Sequence, residues 1–255
     1  MATGMGDRDP AHPIDARGTA EEDWRAWPDL AQFPLLDLDG VRSVVVVAPH
    51  PDDEVLGFGG SLALLAEAGA RLRIVAVTDG EASHPNSPTL APGELVARRS
   101  AERAEALRCL GAESAEVVKL SIPDGSVGAA QAEVATRLNA LCSGFDLCLA
   151  PWPGDLHPDH DATGRAAEAA AVAAGTPLAH YPVWMWHWAV PGQGEVPWHD
   201  GRRIDLPANI QRRKAEAVNC FTTQIAPLSE HPDDAAILSE QMLAHFDRPT
   251  EIVFR

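Results

Sequence analysis

The sequence predicts a three-layer α/β sandwich built on a mainly parallel sheet. Three observations carry that expectation. Apolar runs such as VVVVA at 44–48 and FDLCLAPW at 145–152 read as strands buried on both faces. Segments of helical length follow them, which is the pattern of repeated βαβ units. The polar clusters come directly after the apolar runs, at the carboxyl ends of strands, where open α/β sheets bind their ligands.

A chain of 255 residues with 45% hydrophobic content suits one large domain with an ample core. A net charge of −17 and a pI near 4.8 repel phosphate backbones and anionic lipid. Nucleic acid and membrane surfaces are therefore not expected partners. No apolar run approaches the ~20 residues of a membrane span. The opening MATGMGDRDPAH lacks the apolar core of a signal peptide. Cys109, Cys142, Cys148 and Cys220 have no paired CxxC spacing and read as thiols of a cytoplasmic protein. The acidic, Ala- and Pro-rich composition fits a bacterial source.

Residues 1–40 read as an arm ahead of a domain spanning 41–255. Its first 18 residues are polar and are expected to be disordered or loosely attached. Thr19 and Glu22 have capping-box spacing for a short helix over about 20–27. Trp24 and Trp27 share one face of that helix and read as anchors on the domain.

The organising stretch is Val44 to Gly60. A strand over 43–48 stops at Ala48-Pro49, and His50, Asp52, Asp53 and Glu54 follow within five residues. A His and a carboxylate three apart at a strand end can meet one metal ion, leaving the neighbouring carboxylate as a base. The competing reading is a Pro-Asp turn with a capping Asp. The helix over 55–68 carries Gly57, Gly59 and Gly60, whose spacing is not GxGxxG. Those glycines read as sites of close helix–sheet approach.

A strand over 71–78 leads to a loop over 79–93 with His84 and three prolines, read either as a cover for the site or as inert surface. A helix over 94–110 carries Arg98, Arg99 and Glu102. The strand over 115–120 ends in a turn containing Asp124, and a helix covers 128–142. After the strand at 145–152 comes PWPGDLHPDHD, at the same sheet edge as His50. His157 and His160 there are three apart at the start of a helix over 159–174. One can bind a metal while the other faces the reacting group.

The segment 180–199 is aromatic and begins as a strand, whose alternation places Trp184, Trp186 and Trp188 on one side. It reads as a pocket wall or a packed lid, with His187 as a pocket candidate. A short strand over 202–207 and a helix over 208–219 bearing Lys214 follow. SEHPDDAAIL at 229–238 repeats His-Pro-Asp-Asp without a preceding buried strand. It reads as a capped helix start rather than a metal site. The terminal TEIVF reads as an edge strand.

APHPDDEVLGFGG at 48–60 and His-Pro-Asp-His at 157–160 resemble the two signatures of the PIG-L/LmbE family of zinc-dependent de-N-acetylases. Weaker likeness runs through Arg99, Asp124 and Lys214–Gln224, so the resemblance covers about 41–255. It implies an LmbE-like, Rossmann-like sheet and removal of an acetyl group from a soluble N-acetylglucosamine-type conjugate, a natural-product or thiol-cofactor intermediate. It implies His50, Asp53 and His160 as metal ligands, with Zn²⁺ as the ion and Fe²⁺ or Co²⁺ suited to the same donors. Asp52 is the expected general base. His157 is expected to stabilise the oxyanion or to protonate the leaving nitrogen. Asp159 would orient a ligand imidazole or cap its helix. By the same likeness Arg99 faces the substrate, and Asp124 either bonds a substrate hydroxyl or is a turn residue. Two other classes compete: a metal-dependent phosphoesterase, and a non-catalytic nucleotide- or sugar-binding module on this fold.

Overall fold

The computed structural model describes residues 13, 14 and 16–255. The first part of the predicted loose arm, 1–12, lies outside the described residues, as does residue 15. In chain order the elements are α1 (Glu21–Ala26), β1 (Ser43–Ala48), α2 (Asp53–Glu67), β2 (Arg71–Ala76), α3 (Pro92–Cys109), β3 (Glu116–Lys119), α4 (Val127–Cys142) and β4 (Leu147–Pro151). Then come α5 (Pro158–Ala174), β5 (Leu178–Tyr181), α6 (Met185–Trp188), β6 (Gly201–Asp205), α7 (Ala208–Val218), α8 (Thr222–Ile225), α9 (Glu240–Ala244) and β7 (Thr250–Phe254).

Seven strands form one sheet in the order β3, β2, β1, β4, β5, β7, β6. The first five in that row are parallel, and β7 and β6 run antiparallel at one end. The four valines of β1 show how the layers arise. Val44 and Val46 enter the core shared with α2, α3 and α7, whereas Val45 and Val47 enter the core shared with α4 and α5. A central strand with both faces covered needs apolar residues at every position, so the run shows no alternation. Strand order reverses between β1 and β4, whose neighbours diverge to either side. This is the switch point where a crevice opens. His50 follows β1 and His157 follows β4, so the two clusters meet there.

Helix α2 must lie close on the sheet to aim its first turn into that crevice. A Cβ on Gly57 would stand 2.2 Å from the Tyr181 ring. Tyr181 is fully buried and donates its hydroxyl to Val47 O at 2.7 Å. The other end of the contact is fixed by Glu251 of β7, which accepts from Gly60 N, Ser61 N, Ser61 Oγ and Lys214 Nζ. A buried carboxylate with four donors, one cationic, avoids the penalty of an unpaired buried charge.

Several expectations are corrected. Strand β7 lies inside the sheet, and β6 is the edge; the antiparallel pair folds back beside β5 and buries the terminal strand. Residues after Tyr181 do not continue as a strand, because Asp155 gathers the amides of Val183, Trp184 and Met185 and turns the chain into the one-turn α6. The three tryptophans therefore part ways. Trp184 faces the switch-point crevice, Trp186 packs edge-on to Trp24 at 5.1 Å, and Trp188 stacks on Trp152. Thr19 does not cap α1: Ala20 occupies that position, and Thr19 Oγ1 donates instead to Ala189 O. Residues 16–18 are not loose, since Ala16 O accepts from His187 Nε2. The repeat at 229–238 forms only the 3-10 turn Pro232–Asp234, capped by His231. Asp234 spends its carboxylate on the hydroxyls of Ser87, Thr89 and Ser229, which ties this segment to the 79–93 loop. All four cysteines are free thiols, and Cys142 and Cys148 are buried. Among the described residues no helix is long and apolar enough to cross a membrane.

Candidate metal centre

A cavity of about 240 Å³ opens at the switch point, with His50, Asp52, Asp53, Arg99, Asp124 and His157 in its polar lining. Leu56, Val183, Trp184, Ile237 and Leu238 are its apolar lining, and Ser83 and Gln224 also line it. The 79–93 loop thus contributes to the wall. His84 points away from it, with Nε2 donating to Ala235 O at 3.2 Å.

Three predicted ligands converge on one point. Asp53 Oδ2 lies 3.3 Å from His50 Nδ1 and 3.3 Å from His160 Nε2. The outward nitrogen of each imidazole is held by carboxylate. His50 Nε2 is 3.1 Å from Asp124 Oδ1 and 3.5 Å from Asp159 Oδ2, and His160 Nδ1 is 2.8 Å from Asp155 Oδ2. The tautomers assigned from these partners place a proton on each outward nitrogen and a lone pair on each inward one, the arrangement of metal-ligating histidines. His160 Nε2 is buried and makes no hydrogen bond. His157 adjoins the group, its ligand nitrogen lying within 4.8 Å of those of His50 and His160.

The charge balance points the same way. Six carboxylates (Asp52, Asp53, Glu54, Asp124, Asp155 and Asp159) crowd a buried region that contains two arginines, Arg99 and Arg103. Burial pushes His160 down, but Asp53 and Asp155 outweigh it and raise the imidazole to about 9. Burial likewise opposes the rise of His50, and the bonds to Asp124, Asp159 and Asp53 overcome it. A site that draws protons onto two imidazoles in this way draws a cation equally well. An N/O donor set with oriented imidazoles and a surplus of negative charge fits a divalent ion.

Asp52 stands beside this group and is not part of it. Burial raises its carboxyl to about 7; Arg99 opposes the rise, and Asp53 adds to it. A cation among the neighbouring ligands lowers it again by its charge. Its backbone takes φ +155° and ψ −29°, a conformation that costs a non-glycine residue of order 1–3 kcal/mol. Three hydrogen bonds hold it there. Arg99 Nη2 donates to Asp52 Oδ2 at 3.1 Å and to Pro51 O at 3.0 Å, and Asp52 N donates to Glu54 Oε2 at 3.2 Å. Glu54 is in turn paired with the buried Arg103 at 3.1 Å.

The remaining predicted residues divide. Arg99 borders the cavity, but two of its nitrogens are committed to Asp52, Pro51 O and Gly80 O. Asp124 is engaged at both oxygens, by His50 Nε2 and by Ala82 N, so it supports the His50 imidazole. Asp159 accepts from Gly125 N and Val127 N, which pins the turn carrying Asp124, and it does not cap its own helix. That cap is His157, whose Nδ1 accepts from Asp159 N at 3.3 Å. His187 is not in the cavity; its ring is buried against Gly18 and bonded to Ala16 O. Sequence reasoning missed Asp155, and it placed Gln224 in a segment of weaker family likeness without giving it a site role. Asp155 precedes His160 by five residues at a strand end, which gave no spacing signal.

The fold and this cluster define a class: an α/β sheet carrying a histidine–carboxylate metal-type centre at its switch point. The family model described as GlcNAc-PI de-N-acetylase, PIG-L, matches residues 45–171, about half of the chain and including every predicted metal ligand. The chain belongs to the PIG-L family. It is 34% identical over 118 residues to the 1D-myo-inositol 2-acetamido-2-deoxy-alpha-D-glucopyranoside deacetylase of Kineococcus radiotolerans, covering 45% of this chain and 32% of that protein. It is 28% identical over 141 residues to the diacetylchitobiose deacetylase of Thermococcus kodakarensis, covering 54% of this chain and 52% of that protein. The chain thus spans about a third and about half of the lengths of these relatives. Among solved structures, N,N'-diacetylchitobiose deacetylase from Pyrococcus horikoshii shares the fold, with a TM-score of 0.59 at 24% identity over 79% of this chain and 78% of that one.

Proposed function

We propose that this chain is a metal-dependent de-N-acetylase acting on a soluble N-acetylglucosamine-type conjugate. The observation that carries the reading is the meeting of His50 Nδ1, Asp53 Oδ2 and His160 Nε2, with both imidazoles backed by carboxylates. The relatives named above are deacetylases of acetamido sugars, which supports the substrate class. His50, Asp53 and His160 would hold Zn²⁺, with Fe²⁺ or Co²⁺ suited to the same donors. When bound, the ion supplies Lewis acidity, polarising a carbonyl and making water nucleophilic near neutral pH.

The chain's own residues supply the rest. Asp52, free of the ligand set, takes the proton from water and passes it to the leaving nitrogen. Arg99 fixes the Asp52 carboxylate and screens its charge from Asp53 and Glu54. His157 accepts a backbone N–H at Nδ1, so its neutral ring carries the proton on Nε2. That N–H is a donor for the oxyanion of the tetrahedral intermediate. Burial, with His160 and His50 nearby, holds the His157 ring neutral, well below the usual histidine range. This favours oxyanion stabilisation over protonation of the leaving group. A phosphoesterase would want a second metal about 3.5–4 Å from the first. The next carboxylates, Asp124 and Asp159, are committed to His50 and to backbone amides.

The test is amine release from a panel of N-acetylglucosamine conjugates by zinc-loaded protein, with His160→Ala as control. Release that disappears with His160 and its metal supports the reading. Stoichiometric zinc without release from any conjugate overturns the substrate class.

A further inference from the structure

We propose that residues 16–24 are a positioning element of the site. They hold α6 so that Trp184 forms the wall on which the non-sugar part of the substrate rests. The substrate half of this inference rests on the de-N-acetylase reading. Helix α6 has four residues, too few to persist on local bonds alone. It is held from two sides. From the site, Asp155 accepts from Val183 N, Trp184 N and Met185 N at 3.1, 2.9 and 2.8 Å. From the arm, Trp24 Nε1 donates to Trp186 O at 2.9 Å, Thr19 N to His187 O at 2.7 Å and Thr19 Oγ1 to Ala189 O at 2.6 Å. His187 Nε2 returns a bond to Ala16 O at 2.9 Å. Gly18 lets the arm lie this close: at φ +75°, its Cβ would stand 2.4 Å from the His187 ring.

Trp184, at the start of α6, meets the arm-held His187 ring edge-on at 6.2 Å; it lines the cavity and stacks on His157, with centroids 6.3 Å apart and planes 18° from parallel. The arm therefore sets where the indole stands relative to the proposed oxyanion donor without touching substrate. Ile237 and Leu238 continue the apolar surface. An indole face beside aliphatic side chains suits an aromatic or alkyl aglycone better than a charged one.

The experiment compares Thr19→Val, Gly18→Ala and Trp184→Leu by two readouts. Amide hydrogen exchange over 183–189 reports on α6 directly. Kinetics on 4-methylumbelliferyl and methyl N-acetylglucosaminides report on the wall. Thr19→Val keeps the side-chain volume and removes one hydrogen bond, so it serves if Gly18→Ala fails to fold. Both arm variants should speed exchange over 183–189 and leave β1 and α5 unchanged. Thr19→Val should raise KM for the aromatic glycoside about fivefold with kcat within about twofold. Trp184→Leu should raise it roughly tenfold. The double variant should be no worse than Trp184→Leu, because the arm acts through the indole. Unchanged exchange, additive effects, or equal losses on both glycosides overturn the proposal. Wild-type protein that releases no amine from either glycoside refutes the de-N-acetylase reading instead, and the exchange result then decides the arm's role alone.

Discussion

Replacing Asp155 with Asn tests how the site is held together. The carboxylate is fully buried and has four donors. Oδ2 takes His160 Nδ1 at 2.8 Å and Trp184 N at 2.9 Å, while Oδ1 takes Val183 N at 3.1 Å and Met185 N at 2.8 Å. Asn keeps one oxygen and turns the other into an NH₂. If the NH₂ replaces Oδ1, two backbone N–H groups face a donor. If it replaces Oδ2, it faces Trp184 N–H and drives the His160 proton to Nε2, the nitrogen proposed to hold the metal. The first arrangement leaves two buried donors without an acceptor, at about 1–3 kcal/mol each, or about 2–6 kcal/mol together; the second leaves one and puts the His160 proton on the wrong nitrogen. At about 2–4 °C per kcal/mol for a chain of this size, melting should fall by roughly 5–20 °C. Metal affinity should fall about 10–100-fold, the usual consequence of losing the carboxylate behind a ligand histidine. Thermal melts of chelator-stripped protein read the first effect. Competition with a chromophoric zinc chelator reads the second. A variant that melts within a degree or two of wild type and binds zinc within a factor of two would refute this account of Asp155.

Three further outcomes are expected. Asp52→Asn should keep its metal and lose about 10²–10⁴-fold in amine release; turnover near the wild-type rate removes Asp52 as base. Glu21 is buried beside His245 and Arg248, and although burial raises its carboxyl, bonds from Arg248, His245 and Arg25 hold it at about 2, against an ordinary 4.5. A depressed carboxyl stabilises the fold above its unfolded value, so the contribution of about 3 kcal/mol is complete above pH 4.5 and fades as pH falls toward about 2. The stability gap between wild type and Glu21→Gln in denaturant titrations should therefore narrow over that window; a constant gap contradicts it. Asp234→Ala frees the hydroxyls of Ser87, Thr89 and Ser229 and should speed limited proteolysis within 79–93 several-fold, whereas unchanged cleavage would mean the loop is held otherwise.

The parts legible in the sequence are those fixed by local chain direction. Val44–Val47 had to be a doubly covered strand, and a strand of a parallel sheet delivers the next residues to the ligand edge. His50, Asp52 and Asp53 are placed by that alone. His157 and His160 follow for the same reason after β4. What was not legible depends on partners far along the chain. The resemblance left Asp124 as either a partner of a substrate hydroxyl or a turn residue; its bond partner, His50, is 74 residues away. The strand expected through Trp184 failed because three amides met Asp155, about 29 residues earlier. The misplacement of His187 follows from that turn: its ring packs edge-on to Trp184 at 6.2 Å and is bonded to Ala16 O of the arm, which keeps it out of the cavity. TEIVF read as an edge strand, yet Glu251, its one charged residue, is buried as the acceptor for α2 and Lys214.

This division bears on substrate choice. The residues proposed for bond breaking, His50, Asp52, Asp53, His157 and His160, all lie within 45–171, the segment matched by the family model. The residues that form the apolar lining of the cavity lie largely outside it: Val183 and Trp184 on one side, Ile237 and Leu238 on the other. The first pair is fixed by Asp155 and by the arm at 16–24, and the second by Gln224 O, which accepts from Ile237 N and Leu238 N at 3.0 and 2.9 Å. Chemistry and selectivity thus sit on different parts of the chain, joined at Asp155 and His157. Substitutions within 183–189 or 235–238 should change which conjugate is preferred while leaving metal affinity intact, because the ring contact from these segments to the centre is the Trp184–His157 stack, and His157 is not a proposed ligand. Substitutions at the ligands or their backing carboxylates should do the reverse, lowering turnover of every conjugate by the same factor.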